Sequence, residues 1–382
     1  MTDRALYRIA TIPGDGVGPE VVSAARRVLA AAAEGFGFEI EWSEHAAGGN
    51  AIDLHGVAIR DQEVAACGAA DAILLGAVGG PKWDDPKAAV RPEQALFKLR
   101  SELGLFANLR PVTVHPVIAA AAAPVRAELL EGVDLLIVRE LTGGLYFGDR
   151  TEAHGSPGER SAEDTLPYSE PEIRRVVRLA FELARGRRGH LTSVDKANVL
   201  ATSRLWRTIV EEMRSEFPGV EVGHQLVDSC AMLLIKQPGR FDVIVTENLF
   251  GDILSDEAGV LAGSLGLLPS ASLGERQTPH GTFGLFEPIH GSAPDIAGQD
   301  RANPIGTILS AAMLLRLALG RSDAADAVEG AVTAVLDAGY RTGDLAGAGD
   351  PAGLRVVGTT AFAAAVVDVL AGADRRIPGV PA

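Results

Sequence analysis

The sequence predicts an α/β fold with a largely parallel sheet, and two observations carry that prediction. Short apolar runs typical of buried strands alternate with longer stretches whose apolar residues recur at helical spacing. Alternation of this kind is typical of βαβ units, in which consecutive strands run parallel and helices cover the sheet. With 382 residues the chain is also long enough for two or three domains.

Each predicted element depends on its own local pattern. Residues 19–34 form the clearest helix, because Pro19 stands at its start and Val21, Ala25 and Val28 share one face. The strands are predicted from apolar runs at residues 7–12, 39–42, 72–75, 135–138, 190–194, 220–227 and 243–245. The helices are predicted from apolar periodicity at residues 19–34, 92–103, 170–184, 203–217, 249–265, 304–319, 323–337 and 360–370.

Two segments interrupt this alternation. Residues 143–168 are rich in Gly, Ser, Pro and charged residues without helical period, so they are either a flexible loop or an extended arm. Residues 269–298 are again dense in glycine and proline, and no strand or helix is predicted there.

Composition and charge exclude several classes of protein. The 47% apolar and 22% charged residues are typical of a globular chain. Thirty-five basic against 50 acidic residues give a formal charge of −15, which argues against a nucleic-acid or anionic-membrane partner. No apolar run reaches the ~18 residues of a bilayer span, and the amino terminus lacks the apolar core of a secretory signal. Cys67 and Cys230 are too few for a disulfide framework, so we expect a cytoplasmic protein.

Two aspartates four residues apart are the strongest candidate for a metal site. Asp252 and Asp256 would share one face of a helix, where like charges one turn apart repel each other. A divalent cation between them would remove that penalty, and carboxylate oxygens suit Mg²⁺ or Mn²⁺. The pair follows the strand 243–245, and sites of α/β proteins gather at the carboxyl ends of strands. Asp228 follows the strand 220–227 in the same way and offers a third carboxylate. For Asp252 and Asp256, the alternative interpretation is a solvated acidic face of the helix.

Three arginines are candidates for binding a small anionic substrate. Arg100 lies on the helix 92–103, Arg110 follows ten residues later, and Arg139 ends the strand 135–138. Each guanidinium can bind one carboxylate through two hydrogen bonds. Ordinary surface ion pairs are the alternative for Arg100 and Arg110, whereas a strand terminus leaves Arg139 little solvent.

Lys196 and Tyr146 are candidates for proton transfer. Lys196 follows the strand 190–194, and an amine among other cations can lose its proton and act as a base. Tyr146 lies between Gly144 and Gly148, which let a ligand approach closely, and its phenol can donate a proton. Taken singly, each residue fits a structural role better than a catalytic one.

Two glycine-rich segments are candidates for nucleotide binding. Residues 14–18 (GDGVG) follow a strand and open a helix, but their spacing is not the G-x-G-x-x-G of a dinucleotide-binding turn. Residues 287–298 (EPIHGSAPDIAG) place a histidine and an aspartate in a shaped loop with several backbone donors, which suits either a nucleotide or a cap.

Together these segments resemble the β-decarboxylating dehydrogenases, the family of the isocitrate and isopropylmalate dehydrogenases. The likeness runs from residue 12 to about residue 344, and its most specific motifs are residues 248–256 (NLFGDILSD) and 290–298. Residues 91–100 (RPEQALFKLR) are similar to the isopropylmalate branch in particular.

The resemblance implies a two-domain α/β fold that is not a Rossmann fold. One domain would combine residues 1–105 and 263–382 and bind NAD, and residues 106–262 would form the other. The second domain would carry a homodimer contact, an arm near residues 144–168 and the metal and substrate site.

The family's site residues are carried over by motif. Arg100, Arg110 and Arg139 would hold the malate carboxylates, and Glu93 and Leu96 would lie beside the substituent. Asp252 and Asp256 of one subunit, with Asp228 of the other, would hold Mg²⁺ or Mn²⁺. Lys196, also from the other subunit, would be the base, and Tyr146 would protonate the enolate. The NAD site would be lined by His290, Gly291, Ser292, Ala293, Pro294, Asp295, Ile296, Asn303 and Asp344.

The implied reaction is the NAD-dependent oxidation and decarboxylation of 3-isopropylmalate to 4-methyl-2-oxopentanoate and CO₂, a step of leucine biosynthesis. A sister enzyme that takes another malate substituent is one alternative. A non-catalytic regulatory subunit of the same fold is another, disfavoured because every charged and proton-transferring position is present.

Overall fold

Strands and helices alternate along most of the chain, as the sequence predicts, in a computed structural model that describes residues 4–85, 88–122, 125–347 and 354–372. The strands are β1 (Ala5–Gly14), β2 (Phe38–Glu44), β3 (Ala72–Ala77), β4 (Ala107–Thr113), β5 (Asp134–Glu140), β6 (Arg150–His154), β7 (Ser161–Asp164), β8 (His190–Asp195), β9 (Glu221–Leu226), β10 (Val243–Thr246), β11 (Pro269–Gln277), β12 (Thr282–Pro288), β13 (Tyr340–Arg341) and β14 (Arg355–Val356). The helices are α1 (Gly18–Phe36), α2 (Gly49–His55), α3 (Asp61–Ala69), α4 (Gln94–Glu102), α5 (Pro116–Ala122), α6 (Glu170–Arg185), α7 (Ala201–Arg214), α8 (Val227–Lys236), α9 (Asn248–Val260), α10 (Ile305–Leu317), α11 (Ser322–Asp337) and α12 (Thr359–Leu370). The α/β class is therefore confirmed.

The chain divides into two compact units. Unit 1 comprises residues 1–105, 115–124 and 262–382, and unit 2 comprises residues 106–114 and 125–261. The division that the family resemblance implies, residues 1–105 plus 263–382 and residues 106–262, stays a prediction.

The strands of unit 1 lie in the order β2-β1-β3-β12-β11, and α1 and α10 pack on them. β1 pairs in parallel with β2 and β3, and β3 pairs in parallel with β12. β11 and β12 are antiparallel to each other, so the expectation of a largely parallel sheet is too simple here. The sequence also misses both of these strands. A Cβ on Gly274 would lie 2.4 Å from the Gly104 carbonyl oxygen, so this glycine marks a close backbone approach within a strand rather than a turn.

The strands of unit 2 lie in the order β4-β5-β10-β8-β9. β5, β10, β8 and β9 run parallel, whereas β4, which the sequence misses, is antiparallel to β5. β10 is buried along its whole length, and α6 packs on β5, β8 and β10. The carboxyl ends of the four parallel strands share one edge, where Arg139, Asn248, Lys196 and Asp228 are found at or just after a strand end.

The segment 143–168 takes the form of an extended arm rather than a structureless loop. β6 and β7 pair antiparallel, with Arg150 opposite Asp164, and their residues are exposed. A two-stranded ribbon with no buried face is only marginally stable alone.

Two further features are the apolar character of the helices and the state of the two cysteines. Among the described residues, no helix combines the length and the apolar character that a membrane span requires. Cys67 and Cys230 are free and buried, and burial raises the pKa of each thiol to about 12. Thiols that stay protonated are poor nucleophiles and poor metal ligands.

Candidate active site

The site in unit 2 begins where β5 and β10 end. Arg139 lies opposite Thr246 in the parallel register, and Glu247 follows as the N-cap of α9. The Glu247 carboxylate accepts hydrogen bonds from the backbone N–H groups of Leu249 (3.1 Å) and Phe250 (3.0 Å). Burial raises the pKa of Glu247. This cap fixes the direction in which α9 leaves the sheet.

The two aspartates of α9 lie on one helical face, as the i, i+4 spacing predicts, and both contact arginines. Arg139 Nη1 contacts Asp252 Oδ1, and Arg110 Nη1 donates to Asp256 Oδ1 at 2.9 Å. Arg110 Nη2 also lies 3.8 Å from Asp252 Oδ1, so the two guanidiniums together offset the repulsion between the carboxylates. The Asp252 side chain is 32% exposed and that of Asp256 62% exposed, which leaves oxygens open to a ligand.

Tyr146 joins the same cluster through a glycine turn. It ends the 3₁₀ turn Gly144–Tyr146, and its hydroxyl donates to Asp252 Oδ2 at 2.9 Å. Gly144 has φ +71°, and a Cβ there would lie 2.6 Å from the Tyr168 hydroxyl oxygen, so the turn requires glycine. Burial, together with the hydrogen bond to Asp252, raises the pKa of Tyr146. The phenol is therefore held in its protonated form beside the Asp252 carboxylate.

Lys196 and Asp228 form a separate pair. They stand just past the ends of the neighbouring strands β8 and β9, and Lys196 Nζ donates to Asp228 Oδ1 at 2.6 Å. That hydrogen bond lowers the pKa of Asp228. Within the residues that the structure describes, no three His, Cys, Asp or Glu side chains lie close enough to hold a metal ion. A single chain thus does not bring Asp228 to Asp252 and Asp256.

The remaining substrate-binding candidates belong to unit 1. Arg100 on α4 donates from Nη2 to Glu287 Oε1 at 2.8 Å, and both side chains are largely buried. Its buried Nε has no hydrogen-bond partner among the described residues, so one donor is available for an acceptor that the protein does not supply. One turn earlier on the same helix, Leu96 is half-buried against the core, and Glu93 is the exposed residue that precedes the helix.

A cavity of about 590 Å³ in unit 1 collects most of the predicted cofactor residues. Its lining includes His290, Gly291, Ala293, Ile296, Asn303 and Asp344. Asp344 accepts from Asn303 Nδ2 at 2.9 Å and from Thr342 Oγ1 at 2.6 Å. The first of these hydrogen bonds connects Asp344 to another residue of the cavity lining.

The His290 ring carries the clearest sign of a missing partner in this cavity. Nδ1 lies 2.9 Å from the Gly291 carbonyl oxygen, so it carries the proton, and burial lowers the pKa of the ring. Nε2 is then an acceptor, and it is buried with no partner among the described residues. An orphaned acceptor in a cavity of this size fits a nucleotide with amino and hydroxyl donors.

Three predicted cofactor residues do not line the cavity. Ser292 is buried, and its carbonyl oxygen accepts from Val17 N–H at 2.8 Å. Pro294 and Asp295 are exposed, and the Asp295 carbonyl accepts from Gln299 Nε2 at 2.7 Å. Their backbone shapes the loop, and the Asp295 side chain stays free to meet a ligand at its outer edge.

The glycine segment 14–18 is hydrogen-bonded to the backbone of several neighbouring stretches of the chain. The buried Asp15 carboxylate accepts from the backbone N–H groups of Gly49 (2.7 Å), Asn50 (2.7 Å) and Gly79 (2.8 Å). A Cβ on Gly16 would lie 1.9 Å from the Ser292 carbonyl oxygen, so glycine permits the contact with the cofactor loop. This explains a G-x-G-x-G spacing that does not match a dinucleotide-binding turn.

Sequence reasoning missed the residues that hold the candidates in place. Asn248 binds Arg139, Glu287 binds Arg100, and Tyr168 donates to the buried Glu140 at 3.1 Å. Asn248 was inside a quoted motif and Glu287 began a quoted loop, so their positions were visible in the sequence. Their partners were not, because those partners are far away along the chain.

Comparison with known proteins adds a family to this geometry. The model of the isocitrate/isopropylmalate dehydrogenase family matches residues 8–366. The 3-isopropylmalate dehydrogenase of Moorella thermoacetica is 56% identical over 341 residues, which are 89% of this chain and 93% of that protein. The enzyme of the same name from Rhodopirellula baltica is 55% identical over 364 residues, covering 95% and 99%.

Solved structures show the same fold. The crystal structure of an isocitrate dehydrogenase from Methylococcus capsulatus matches with a TM-score of 0.81 at 35% identity, and covers 95% of this chain and 99% of that one. A β-decarboxylating dehydrogenase from Thermococcus kodakarensis matches with a TM-score of 0.75 at 36% identity, covering 96% of each chain.

Proposed function

The chain belongs to the isocitrate/isopropylmalate dehydrogenase family, and we propose that it oxidises and decarboxylates 3-isopropylmalate with NAD. The products are 4-methyl-2-oxopentanoate and CO₂. The observation that carries the proposal is the cluster in which Arg139 and Arg110 hold Asp252 and Asp256 while Tyr146 donates to Asp252. Cations for a dianionic substrate, acids for a metal and a proton donor thus meet in one place.

Substrate binding is the task of the arginines. Arg110 and Arg139 are largely buried, so a carboxylate that replaces part of their contact with the aspartates binds in a weakly screened environment. The unpartnered Nε of Arg100 supports a role for that residue in binding a second carboxylate.

Two groups would be supplied from solution. Asp252 and Asp256, with Asp228 of a second copy, are hard oxygen ligands that fit Mg²⁺ or Mn²⁺, which would acidify the C2 hydroxyl and polarise the ketone. The cavity lined by His290, Asn303 and Asp344 fits NAD, which would accept the hydride from C2.

The chain's own residues move the protons. Lys196 takes the C2 hydroxyl proton as C2 becomes a ketone. When the bond to the departing carboxylate breaks, its electron pair forms the enolate, and Tyr146 returns a proton to the carbon. The Tyr146 hydroxyl already donates within the site, which supports this assignment.

A second copy is needed for Lys196 and Asp228 to reach the site. Exposed apolar residues on α8 and α9, among them Met232 (66% exposed), Ile253 (57%) and Val260 (47%), support a homodimer through these helices. The exposed ribbon β6–β7 would add to that contact.

The test is NADH formation with Mg²⁺ and a panel of 3-substituted malates. We expect the highest kcat/KM with 3-isopropylmalate. A higher value with isocitrate, homoisocitrate or tartrate would indicate a sister enzyme, and no NADH with any substrate would indicate a non-catalytic subunit.

A further inference from the structure

We propose that Asn248 is the positioning residue for Arg139, and that its lack of charge spares the guanidinium a second carboxylate beside Asp252, so that a substrate carboxylate still binds it. This inference rests on the proposed function, because Arg139 is taken to bind the malate part of the substrate. Asn248 does not touch the reacting atoms in this account. It acts through the arginine.

Asn248 closes one whole edge of the Arg139 guanidinium. Arg139 Nε donates to the Asn248 backbone oxygen at 3.0 Å and to its Oδ1 at 3.1 Å, and Nη2 donates to the same Oδ1 at 2.8 Å. Both residues are buried. Because three hydrogen bonds fix this edge, the Nη1 end is directed to Asp252.

The orientation of the Asn248 amide is itself fixed. Its Nδ2 donates to the Gly143 carbonyl oxygen at 3.0 Å, and its backbone N–H donates to the Tyr168 hydroxyl at 3.0 Å. A flipped amide would place its oxygen against the Gly143 oxygen and its NH₂ against the arginine donors. The same side chain therefore links Arg139 to the glycine turn that carries Tyr146.

The absence of charge at position 248 is the part of the arrangement that bears on function. A buried arginine is usually held by a carboxylate, which satisfies its donors and cancels its charge. Here Asp252 already contacts Nη1, and the two nearby buried acids make their hydrogen bonds to backbone N–H groups. Glu247 caps α9, and Glu140 accepts from the backbone N–H groups of Thr142 (2.8 Å) and Gly143 (2.8 Å). A neutral acceptor at position 248 fixes the geometry of Arg139 without adding a second carboxylate to the guanidinium that Asp252 already contacts.

Three single variants separate these effects. Asn248→Asp keeps acceptors for Arg139 but adds a negative charge, and Asn248→Leu removes the hydrogen bonds without adding charge. Thr246→Val is the matched control, because this fully buried side chain two residues earlier donates only to the Val194 carbonyl oxygen, 3.0 Å away. Calorimetric binding of substrate with Mg²⁺, KM for NAD and thermal midpoints are measured for each.

Both Asn248 variants should bind substrate at least tenfold more weakly, with the KM for NAD within twofold of the unaltered protein. Thr246→Val should lower the thermal midpoint without moving substrate affinity. Asn248→Asp that binds substrate as tightly as the unaltered protein would overturn the charge argument. If Asn248→Leu does not fold, Asn248→Ala, which also removes the side-chain hydrogen bonds without adding charge, takes its place.

A double-mutant cycle decides whether Asn248 acts through Arg139. Arg139→Lys keeps a positive charge but lacks the guanidinium that Asn248 binds. Adding Asn248→Leu to the Arg139→Lys variant should therefore change substrate affinity less than twofold. A further tenfold loss would show that Asn248 acts independently and would refute the proposal. All variants are tested with the 3-substituted malate that the unaltered protein uses best. Failure of the isopropylmalate assignment then leaves the test of Asn248 intact.

Discussion

Two groups of charged residues lie at the carboxyl ends of the parallel strands of unit 2, yet their surroundings differ. Around Asp252, each charge meets an opposite charge or a donor: Arg139 contacts the carboxylate and Tyr146 donates to it. Lys196 and Asp228 instead bind each other, and the Asp228 side chain is 60% exposed.

Strand order explains the difference. β5 and β10 are neighbours, so Arg139 and the start of α9 meet, and β8 and β9 are neighbours, so Lys196 meets Asp228. The first group is held together by contacts within one chain. The second group carries the base and the third carboxylate of the proposed reaction but is not part of that site within one chain. In the proposed reaction, a second copy of the chain would bring the two groups together.

The largest effect should come from removing either set of metal-binding carboxylates. Asp252→Asn and Asp228→Asn should each lower kcat by roughly a thousandfold or more, since several kcal/mol of charge stabilisation depend on the metal. Glu221→Gln, an exposed carboxylate in the same unit, is the control and should leave kcat unchanged. Near-normal turnover by Asp228→Asn, or by the unaltered protein in EDTA, would contradict the proposal that both groups hold a metal ion needed for the reaction.

The next largest effect should come from Tyr146→Phe. Loss of a positioned proton donor costs about 10²- to 10⁴-fold in rate, so kcat should fall within that range while the KM for substrate changes little. Steady-state kinetics with Tyr340→Phe as a control measures this. A Tyr146→Phe enzyme that loses substrate affinity and keeps its kcat would assign the phenol to binding instead.

A change in the cofactor loop should leave both groups intact and alter selectivity. The exposed Asp295 carboxylate can accept from a ribose 2′-OH and would repel a 2′-phosphate, so NAD should be preferred to NADP. Asp295→Asn should lower that preference by about 10- to 100-fold, the worth of a charged hydrogen bond. The ratio of kcat/KM for the two cofactors is the measurement. Equal use of both by the unaltered enzyme would place Asp295 outside the cofactor site.

The smallest effect should come from the substituent pocket. Leu96 lies one turn before Arg100 and, in the proposed function, would offer an apolar wall to the isopropyl group. Ethylmalate and methylmalate should retain activity, since one methylene is worth only ~1–3 kcal/mol. Leu96→Ala should lower the preference for isopropyl over methyl by roughly fivefold. A preference that does not change would show that Leu96 does not contact the substituent.

Local patterns predicted the elements whose signals are strong. The apolar runs of β5 and β10 and the periodicity of α1 and α6 were sufficient. β11 and β12 were not predicted, because small residues and glycines replace the large apolar residues of a typical strand where neighbouring backbones approach closely. The helix predicted at residues 249–265 ends five residues earlier, since α9 stops at Val260.

The candidate site was predictable as a set of residues but not as an arrangement. Spacing placed Asp252 and Asp256 on one helical face, and the contacts with Arg110 and Arg139 agree with that. No spacing rule indicates that Asn248 would hold Arg139, because the two are 109 residues apart and meet through strand order. Long-range pairing of this kind is fixed by the sheet, not by local sequence.

The most direct test of a shared site is complementation between two inactive variants. Lys196→Met and Asp256→Asn should each be inactive alone. If the residues come from different copies, a hybrid dimer has one site with both lesions and one intact site. Random reassortment makes about half the dimers hybrid, so unfolding and refolding the mixture should restore about one quarter of the activity of the unaltered protein. No recovery in a mixture shown to contain hybrids would contradict the shared site.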